Sequence, residues 1–391
     1  MAAQLNERRL MDATWPGLAS LTQSIFSGLG GQGFRNAFHL DRSASTCLLL
    51  LDGLGWNLLQ AHAQHAPFLA SLMQPDGHFK VGFPATTASS LAALSSGMGS
   101  GAHGIVGCSF MLDEHVELSP LSWTSTSLQA GVVAPPAPPP ESFIVPQTAW
   151  TQARDQGIAV STVMLGRYAD SAFTKAIYRS ARILAAPAYD AYPALVQDAL
   201  AVEGPAFCFA YFDDLDFAGH VFGPGSPAWL KQLEVADQLA RAIAERLPES
   251  ATLMAIADHG MVDLDPARVR DFDSEPALQE GVWALTGDIR ARYLYTRIEQ
   301  QDRVHERWQN SLGDDYLVLS KSQAIASGLF GDVMLSQAEA RIGQLIVVPT
   351  GRGGIVRSEL ETHASQWRGH HGALTDEDQL VPLLMCSGFS A

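Results

Sequence analysis

Acidic and histidine residues stand in four short clusters that are far apart in the chain. In chain order these are Asp52, Asp216 with His220, Asp258-His259, and His370-His371. Residues i and i+4 of a helix lie on one face, so the carboxylate of Asp216 and the imidazole of His220 can reach one ion. Carboxylate oxygens and imidazole nitrogens gathered from separate clusters are the donors that a two-metal site needs.

A nucleophilic hydroxyl is predicted in the segment 84–94, PATTASSLAAL, where a strand turns into a helix. A hydroxyl at that point, on Thr86 or Thr87, has backbone N–H groups and the positive end of the helix beside it. The alternative role is a helix N-cap, which threonine commonly fills. With metal ligands elsewhere in the chain, the hydroxyl becomes a candidate alkoxide, because a metal ion lowers its pKa and holds it for in-line attack.

The elements that must position these groups alternate between strand and helix. The run 46–52, TCLLLLD, is apolar on both faces and suits a central strand of a parallel sheet. The alternation predicts an α/β fold, a doubly wound, mostly parallel central sheet flanked by helices. Ligands of such sheets lie beyond the C-terminal ends of the strands, so the acidic clusters and Thr87 should converge there. Further strands are expected at 79–83, 158–164, 206–212, 252–257, 290–296, 316–319, 344–348 and 380–385, and helices at 56–73, 147–156, 193–202, 228–247, 301–311 and 335–341.

The chain is predicted to form a single domain over residues 1–391, with a smaller inserted cap over about 108–192, where the pattern is less regular. A Gly-x-Gly-x-x-Gly match at 28–33 precedes the first convincing strand instead of following one. We therefore interpret it as a loop, and a nicotinamide-binding oxidoreductase ranks last among the functions considered.

Composition narrows the partners. The 391 residues carry a net charge of −16, with a pI of about 5.1. This charge argues against a nucleic acid polymer or an anionic membrane surface as partner, but it permits a small phosphorylated substrate, since metal ions would supply positive charge. No apolar stretch approaches a membrane span, and the N-terminus lacks the apolar core of a signal peptide. Four separated cysteines are interpreted as free thiols, and a cytoplasmic protein is expected.

Six motifs in a fixed order carry a family resemblance over residues 48–372. They read LLLLDGLGW, FPATTASSLAALSSG, GAHGIVG, YFDDLDFAGHVFGP, ADHGM and GHHG. Each motif is ordinary alone, but together and in this order they are specific. The chain resembles the alkaline phosphatase superfamily, specifically the type I phosphodiesterase/nucleotide pyrophosphatase family.

The resemblance implies a role for each cluster. Thr87 would be the nucleophile and also a metal ligand. One ion would be held by Asp52, Asp258 and His259, and the other by Asp216, His220 and His371, with His370 competing for the last position. Two divalent ions are implied, with zinc expected and manganese compatible with the carboxylates. The reaction would pass through a phosphothreonine and retain configuration at phosphorus. His103 would be structural.

The substrate-binding residues depart from the family pattern. The residues after the nucleophile are Ala88-Ser89-Ser90. Many nucleotide-cleaving members of the family that the chain resembles have Phe-Pro-Asn at these positions. Cys108 stands where those members place an asparagine that steadies a phosphate oxygen, and its thiol is a poorer donor. Tyr211 matches a residue that members place near the substrate. The resemblance therefore assigns substrate contacts to Ala88 (as a backbone N–H donor), Ser90, Cys108 and Tyr211, but it specifies the metals better than the substrate.

Three functions follow from this pattern. The first is a metal-dependent hydrolase of phosphodiester or pyrophosphate bonds in a small phosphorylated substrate. The second is a phosphomonoesterase or phosphonate hydrolase on the same site. The third, from another class, is a non-catalytic metal-binding scaffold, which would be signalled by loss of a ligand or of the nucleophile; none is lost here. A sulfatase is disfavoured because its nucleophile motif is missing.

Overall fold

The structure is a computed structural model, and it describes residues 17–129, 131–144 and 147–388. In chain order its strands are β1 (Ser45–Leu51), β2 (His78–Lys80), β3 (Phe110–Met111), β4 (Val116–Ser119), β5 (Thr124–Ser127), β6 (Ala159–Leu165), β7 (Arg182–Ala186), β8 (Ala206–Phe212), β9 (Ala251–Ile256), β10 (Val262–Asp263), β11 (Val269–Asp271), β12 (Val282–Asp288), β13 (Ala291–Thr296), β14 (Tyr316–Ser320), β15 (Leu345–Pro349), β16 (Gly354–Val356), β17 (Gly369–His370) and β18 (Leu380–Ser387).

The α-helices of the described residues follow the same order. They are α1 (Leu18–Gly28), α2 (Trp56–Ala61), α3 (Pro67–Ser71), α4 (Thr87–Ser96), α5 (Ser100–His103), α6 (Ala149–Asp155), α7 (Gly166–Ala169), α8 (Ala172–Ile177), α9 (Tyr192–Leu200), α10 (Asp214–Phe222), α11 (Pro227–Ala244), α12 (Pro276–Gln279), α13 (Gln301–Leu312), α14 (Lys321–Ala326), α15 (Ser336–Arg341) and α16 (Asp376–Gln379). No helix in the described part of the chain is long and apolar enough to span a bilayer.

A seven-stranded sheet forms the centre of the molecule, in the order β2-β18-β9-β1-β8-β6-β7. The strands from β9 to β7 are parallel, and β18 runs antiparallel to β9. All seven residues of β1 are buried, as a strand covered on both faces requires. The predicted α/β fold with a mostly parallel central sheet is confirmed.

Helices cover both faces of this sheet. Helices α1, α4, α6 and α8 pack together on one face, and α3, α9 and α11 on the other. On the first face Phe207 of β8 meets the ring of Phe26 edge-on at 5.2 Å and that of Trp150 at 5.3 Å. These aromatic contacts hold α1 and α6 against the sheet, and α4, which begins at Thr87, packs against both helices.

The three adjacent strands β9, β1 and β8 end at the same edge of the sheet. Leu51 lies opposite Phe212, and the amide of Asp52 continues this ladder by donating to the Phe212 carbonyl at 2.9 Å. Residues that follow these strands are therefore delivered to one place. The acidic clusters that begin at Asp52, Asp216 and Asp258 all follow these strand ends.

A second, four-stranded antiparallel sheet follows in the order β12-β13-β15-β14. It has its own buried apolar cluster, which includes Trp308 of α13. The sequence prediction included β13, β14 and β15 but missed β12. The omission matters because β12 ends at Asp288, which approaches the site.

The segment 108–192 divides between two sheets. Strands β3, β4 and β5 form a separate three-stranded sheet, whereas β6 and β7 belong to the central sheet. We propose that the cap is confined to the part of this segment before α6. The single-domain organisation over 1–391 stays a prediction. Residues 1–16, 130, 145–146 and 389–391 lie outside the described residues.

Two local predictions need correction. The single helix expected over 56–73 is two helices, α2 and α3, because Pro67 starts a new helix and its ring cannot continue the first one. The strand expected over 79–83 ends at Lys80, since Gly82 has a φ of +128° that a regular strand does not adopt. The glycine loop at 28–33 follows helix α1 and not a strand, as predicted.

Candidate active site

The first group of donors consists of Asp52, Asp258 and His259, with ligand atoms within 4.8 Å of one another. The Nε2 atom of His259 lies 3.3 Å from Asp52 Oδ1 and 3.4 Å from Asp258 Oδ2. The Asp258 carboxylate also accepts from the amide of Gly53 at 3.3 Å. All three side chains are buried, so this group is held rigidly by the ends of β1 and β9.

The second group consists of Asp216, His220 and His371, also within 4.8 Å. Helix α10 presents Asp216 and His220 one turn apart, as the i,i+4 spacing predicted, with Oδ2 and Nε2 separated by 3.3 Å. The Nε2 atom of His371 lies 3.3 Å from that of His220. Gly53, at φ +73°, makes room for this group, because a Cβ there would lie 2.8 Å from Asp216 Oδ1.

Backbone carbonyls orient all three imidazoles. The Nδ1 atoms of His259, His220 and His371 lie 2.9, 2.7 and 2.9 Å from the carbonyl oxygens of Gly260, Gly369 and Ala85, respectively. A carbonyl accepts from an N–H, so each Nδ1 carries a proton, and in a neutral ring Nε2 is then the atom that can bind a metal ion. Carbonyl-held imidazoles of this kind are characteristic of metal ligands.

Three buried carboxylate oxygens at the centre lack hydrogen-bond partners: Asp52 Oδ1, Asp216 Oδ1 and Asp258 Oδ2. Burial, followed by repulsion from Asp258, raises the pKa of Asp52 well above its usual value, and burial also raises that of Asp258. For Asp216 burial acts in the same direction, but attraction to His220 outweighs it and lowers the pKa. Crowded, unsatisfied carboxylates beside imidazole lone pairs fit divalent cations such as zinc or manganese.

Thr87 lies at the first residue of helix α4, beside the first donor group. Its Oγ1 is 3.1 Å from His259 Nε2. The residue before it, Thr86, occupies the N-cap position without a side-chain cap hydrogen bond. The N–H groups in the first turn of a helix have no acceptor within the helix, which makes the start of α4 favourable for a negatively charged group. The geometry therefore distinguishes Thr87 from Thr86 as the candidate nucleophile.

The remaining predicted substrate contacts have different placements. Ala88 and Cys108 line the cavity above Thr87. The thiol of Cys108 donates to the carbonyl of Gly287 at 3.3 Å, and its pKa is raised by burial and by Asp288. Ser90 turns away, since its hydroxyl donates to the Asp258 carbonyl at 2.8 Å. Ser90 therefore contacts the backbone of the first donor group and does not line this cavity.

Tyr211 also contacts the donor groups. Its hydroxyl donates to Asp52 Oδ2 at 2.5 Å, and this hydrogen bond orients the carboxylate whose other oxygen has no partner. Of the two adjacent histidines, His371 joins the second group, whereas His370 lies in β17 opposite Val262 with its Nε2 unpartnered. His103 is buried, with its Nδ1 accepting from the amide of Ile105 at 3.2 Å.

A cavity of about 710 Å³ opens above Thr87. Part of its wall is apolar, and three large side chains at the mouth, Leu121, Phe217 and Leu360, are about half exposed or more. The polar wall contains charged residues that the sequence analysis missed: Glu117, Asp213, Asp288, Arg357 and Glu361. The only local signal for Asp288 is Gly287-Asp288 between two apolar runs, which indicates a hairpin turn and not a site.

Comparison with known proteins gives one family and a common fold. A family model described as type I phosphodiesterase / nucleotide pyrophosphatase matches residues 46–374. No curated protein sequence matches the chain significantly.

The solved structures that resemble the chain have low sequence identity to it. Murine ectonucleotide pyrophosphatase / phosphodiesterase 5, in an inactive form in complex with AMP, has a TM-score of 0.65 at 18% identity, covering 86% of this chain and 87% of its own. The human protein has a TM-score of 0.64 at 18% identity, covering 88% and 90%. At this identity the structures show a shared fold.

Proposed function

The chain belongs to the type I phosphodiesterase/nucleotide pyrophosphatase family of hydrolases, and we propose that it cleaves phosphodiester or pyrophosphate bonds with two metal ions and a phosphothreonine at Thr87. The observation that carries this proposal is the pair of Asp/His groups beside one cavity, with Thr87 Oγ1 3.1 Å from His259 Nε2. The cavity is lined by Thr87, by Asp52 of the first group and by all three residues of the second. A lone hydroxyl would be a weak nucleophile at neutral pH, and this setting is suited to activating it.

Each donor group would hold one divalent ion. Asp52, Asp258 and His259, with Thr87 Oγ1, would bind the first, and the group of Asp216, His220 and His371 would bind the second. Zinc is our first choice because both sets combine imidazole nitrogen with carboxylate oxygen, and manganese also suits them. When bound, the two ions would lower the pKa of the hydroxyl and offset negative charge on the phosphoryl oxygens.

The reaction would consist of two displacements at phosphorus. Thr87 Oγ1, after giving its proton to solvent water, forms a bond to phosphorus while the bond to the leaving oxygen breaks and that oxygen takes the electron pair. Water then attacks the phosphothreonine and releases a proton to solvent. The bond to Thr87 breaks, and the threonine oxygen keeps the electron pair and takes a proton from solvent, which restores the hydroxyl. Two inversions give net retention of configuration. The Ala88 N–H in the first turn of α4 would donate to a phosphoryl oxygen during both steps.

A small nucleotide is the proposed type of substrate. The structural relative from mouse was solved with AMP, and the apolar side of the cavity offers Tyr168, Phe173 and Trp367 as contacts for a flat or apolar group. The cytoplasmic location expected from the sequence stays a prediction, and the two solved structures described above are of proteins named ectonucleotide pyrophosphatases.

The test compares two chromogenic substrates on metal-stripped protein, with and without added Zn²⁺ or Mn²⁺. Bis-p-nitrophenyl phosphate reports diester cleavage and p-nitrophenyl phosphate reports monoester cleavage, with Thr87→Ala as the control. Metal-dependent diester cleavage that Thr87→Ala abolishes is the expected result. Preference for the monoester would move the function to a phosphatase or phosphonate hydrolase, and failure to bind metal would contradict the proposed two-metal site.

A further inference from the structure

The charge at the phosphoryl end of the cavity can be counted. The three carboxylates of the donor groups, Asp52, Asp216 and Asp258, would face the four positive charges of two divalent ions. The wall beside them adds a fourth carboxylate, Asp288, which is 8% exposed and lines the same cavity. With Asp288 ionised, the four carboxylates would cancel the four positive charges, so each additional negative charge on the substrate would meet no excess positive charge to offset its repulsion by Asp288.

Asp288 lines the same cavity as Thr87, the candidate nucleophile. Its Oδ2 accepts from the backbone N–H of Cys108 at 3.2 Å, and Cys108 lines that cavity too. On the other side, a Cβ on Gly372, the neighbour of His371, would lie 3.2 Å from the Asp288 Cβ. Burial lowers the pKa of His220 in the second donor group, but attraction to Asp216 outweighs burial and raises it. The charge of Asp288 adds a smaller effect in the same direction as Asp216.

Among the described residues, no arginine forms an ion pair with Asp288. The charge of Arg292 acts on it, but Arg292 is committed to a two-point ion pair with Glu361, at 2.9 and 2.5 Å. Burial raises the pKa of Asp288 to about 6, so the group is mainly ionised at pH 8. A buried carboxylate at this position repels additional negative charge on a bound substrate.

Arg357 does not fill the role of a second phosphate contact. Its Nη1 donates to the carbonyl of Leu285 at 2.5 Å, three residues before Asp288 on strand β12. Three residues of a strand span roughly 10 Å, so the Arg357 nitrogen that is bonded to Leu285 lies at a distance from Asp288 along the cavity wall. There it interacts with the charges of Glu361 and Glu117.

We propose that Asp288 makes the site selective for substrates with a single negative charge at phosphorus, so that phosphodiesters are preferred over phosphate monoesters and phosphonates, which carry two. Asp288 is then a specificity-determining residue that acts by repulsion. The inference rests on the proposed hydrolase function, and it decides between the diester and monoester activities that the donor groups alone would both permit.

The experiment measures kcat/KM for bis-p-nitrophenyl phosphate and p-nitrophenyl phosphate at pH 8, on protein reconstituted with Zn²⁺ and checked for metal content. The two substrates share a leaving group and differ in charge. Wild type is compared with Asp288→Asn, which keeps the shape and removes the charge, and with Glu117→Gln, which removes a carboxylate of the same cavity whose charge interacts with that of Arg357. Binding of inorganic phosphate to metal-loaded Thr87→Ala and to Thr87→Ala with Asp288→Asn is measured in parallel by calorimetry.

The expected result is a diester preference in wild type that falls about tenfold or more in Asp288→Asn and is unchanged in Glu117→Gln. Phosphate should bind correspondingly tighter when Asp288 is replaced. An unchanged ratio in Asp288→Asn, or an equal loss with both substrates, would overturn the inference while leaving the hydrolase function intact. Absence of turnover with either substrate would instead count against the proposed function, and the phosphate-binding comparison would still decide the role of Asp288.

Discussion

The imidazole rings of His259 and His371 stack face to face, with centroids 3.5 Å apart and planes 10° from parallel. The two residues belong to different donor groups, so the stack joins the groups into one unit. Sites about 4 Å apart are what a two-metal clamp on one phosphoryl group requires. The stack also means that a change in one group should be felt in the other.

Replacing Thr87 by alanine should lower kcat by on the order of 10³-fold or more, because no other hydroxyl lies beside His259 at the start of α4 in the described contacts. Metal content should be unchanged or slightly reduced. The matched control is Thr86→Ala, which removes the preceding hydroxyl and should keep activity within about tenfold. Steady-state kinetics decide between them, and a larger loss in Thr86→Ala would reassign the nucleophile.

The adjacent histidines should differ in metal binding. His371→Gln should lose one of two bound ions, and through the ring stack it should weaken retention of the other. His370→Gln should keep both, because His370 lies outside the two donor groups. Metal content after dialysis gives the answer. Two ions retained in His371→Gln, with one lost in His370→Gln, would exchange the roles of the two residues.

The Tyr211 hydroxyl should contribute to metal affinity, through its hydrogen bond to Asp52, more than to substrate binding. Tyr211→Phe removes the 2.5 Å hydrogen bond to Asp52, so affinity for the first ion should fall by about 10–100-fold. Tyr168→Phe is the control, since that hydroxyl donates to Asp213 in the same cavity. Competition with a chromogenic chelator measures the affinity. A raised KM with unchanged metal affinity would restore the substrate contact implied by the family resemblance.

Metal-free protein should be stabilised by removing one central charge. Burial and repulsion from Asp258 raise the pKa of Asp52, which means that the folded state disfavours its ionised form at neutral pH. Asp52→Asn should therefore raise the melting temperature in a chelator. In wild type, Zn²⁺ at about 100 times its Kd should add about 2.7 kcal/mol, whereas Asp52→Asn should respond much less. Thermal unfolding with and without Zn²⁺ tests both effects, and a lower melting temperature for metal-free Asp52→Asn would contradict this account.

A buried ion pair supports the segment that follows His371. Arg290 contacts both oxygens of Asp378, at 2.9 and 2.7 Å, both side chains are fully buried, and Asp378 also accepts from the amide of Ala373. Asp378→Asn should cost about 3–5 kcal/mol of unfolding free energy, because it leaves a buried guanidinium uncompensated.

The control for this pair is Asp376→Asn, in the same short helix, where the partner is the partly exposed Lys80 at 3.0 Å. This change should cost less than about 1 kcal/mol. Urea unfolding in a chelator separates the stability effect from metal binding. Similar costs for the two variants would show that the buried pair has no special importance.

Much of the site could be predicted because its residues are marked by local patterns. The runs before Asp52 and Asp258 are apolar on both faces, which identifies central strands, and parallel strands deliver their following residues to one edge. The spacing of Asp216 and His220 needs only one helical turn. Order along the chain, strand pattern and helical period can all be read from the sequence, so these candidate donors and the α/β fold could be predicted from it.

Other features depend on contacts between residues that are distant in the chain. The pairing of β10 with β17 places His370 in a strand opposite Val262, whereas His371 lies just beyond that strand, in the second donor group. The pairing of β8 with β1 brings the Tyr211 hydroxyl within hydrogen-bond distance of Asp52. Strand β12 brings Asp288 beside Cys108, 180 residues away, with no local sequence signal for a site. The sequence determined which residue types could bind metal and attack phosphorus. The tertiary structure alone decided their partners and the charge around them, because those depend on packing between separate elements and not on periodicity within one.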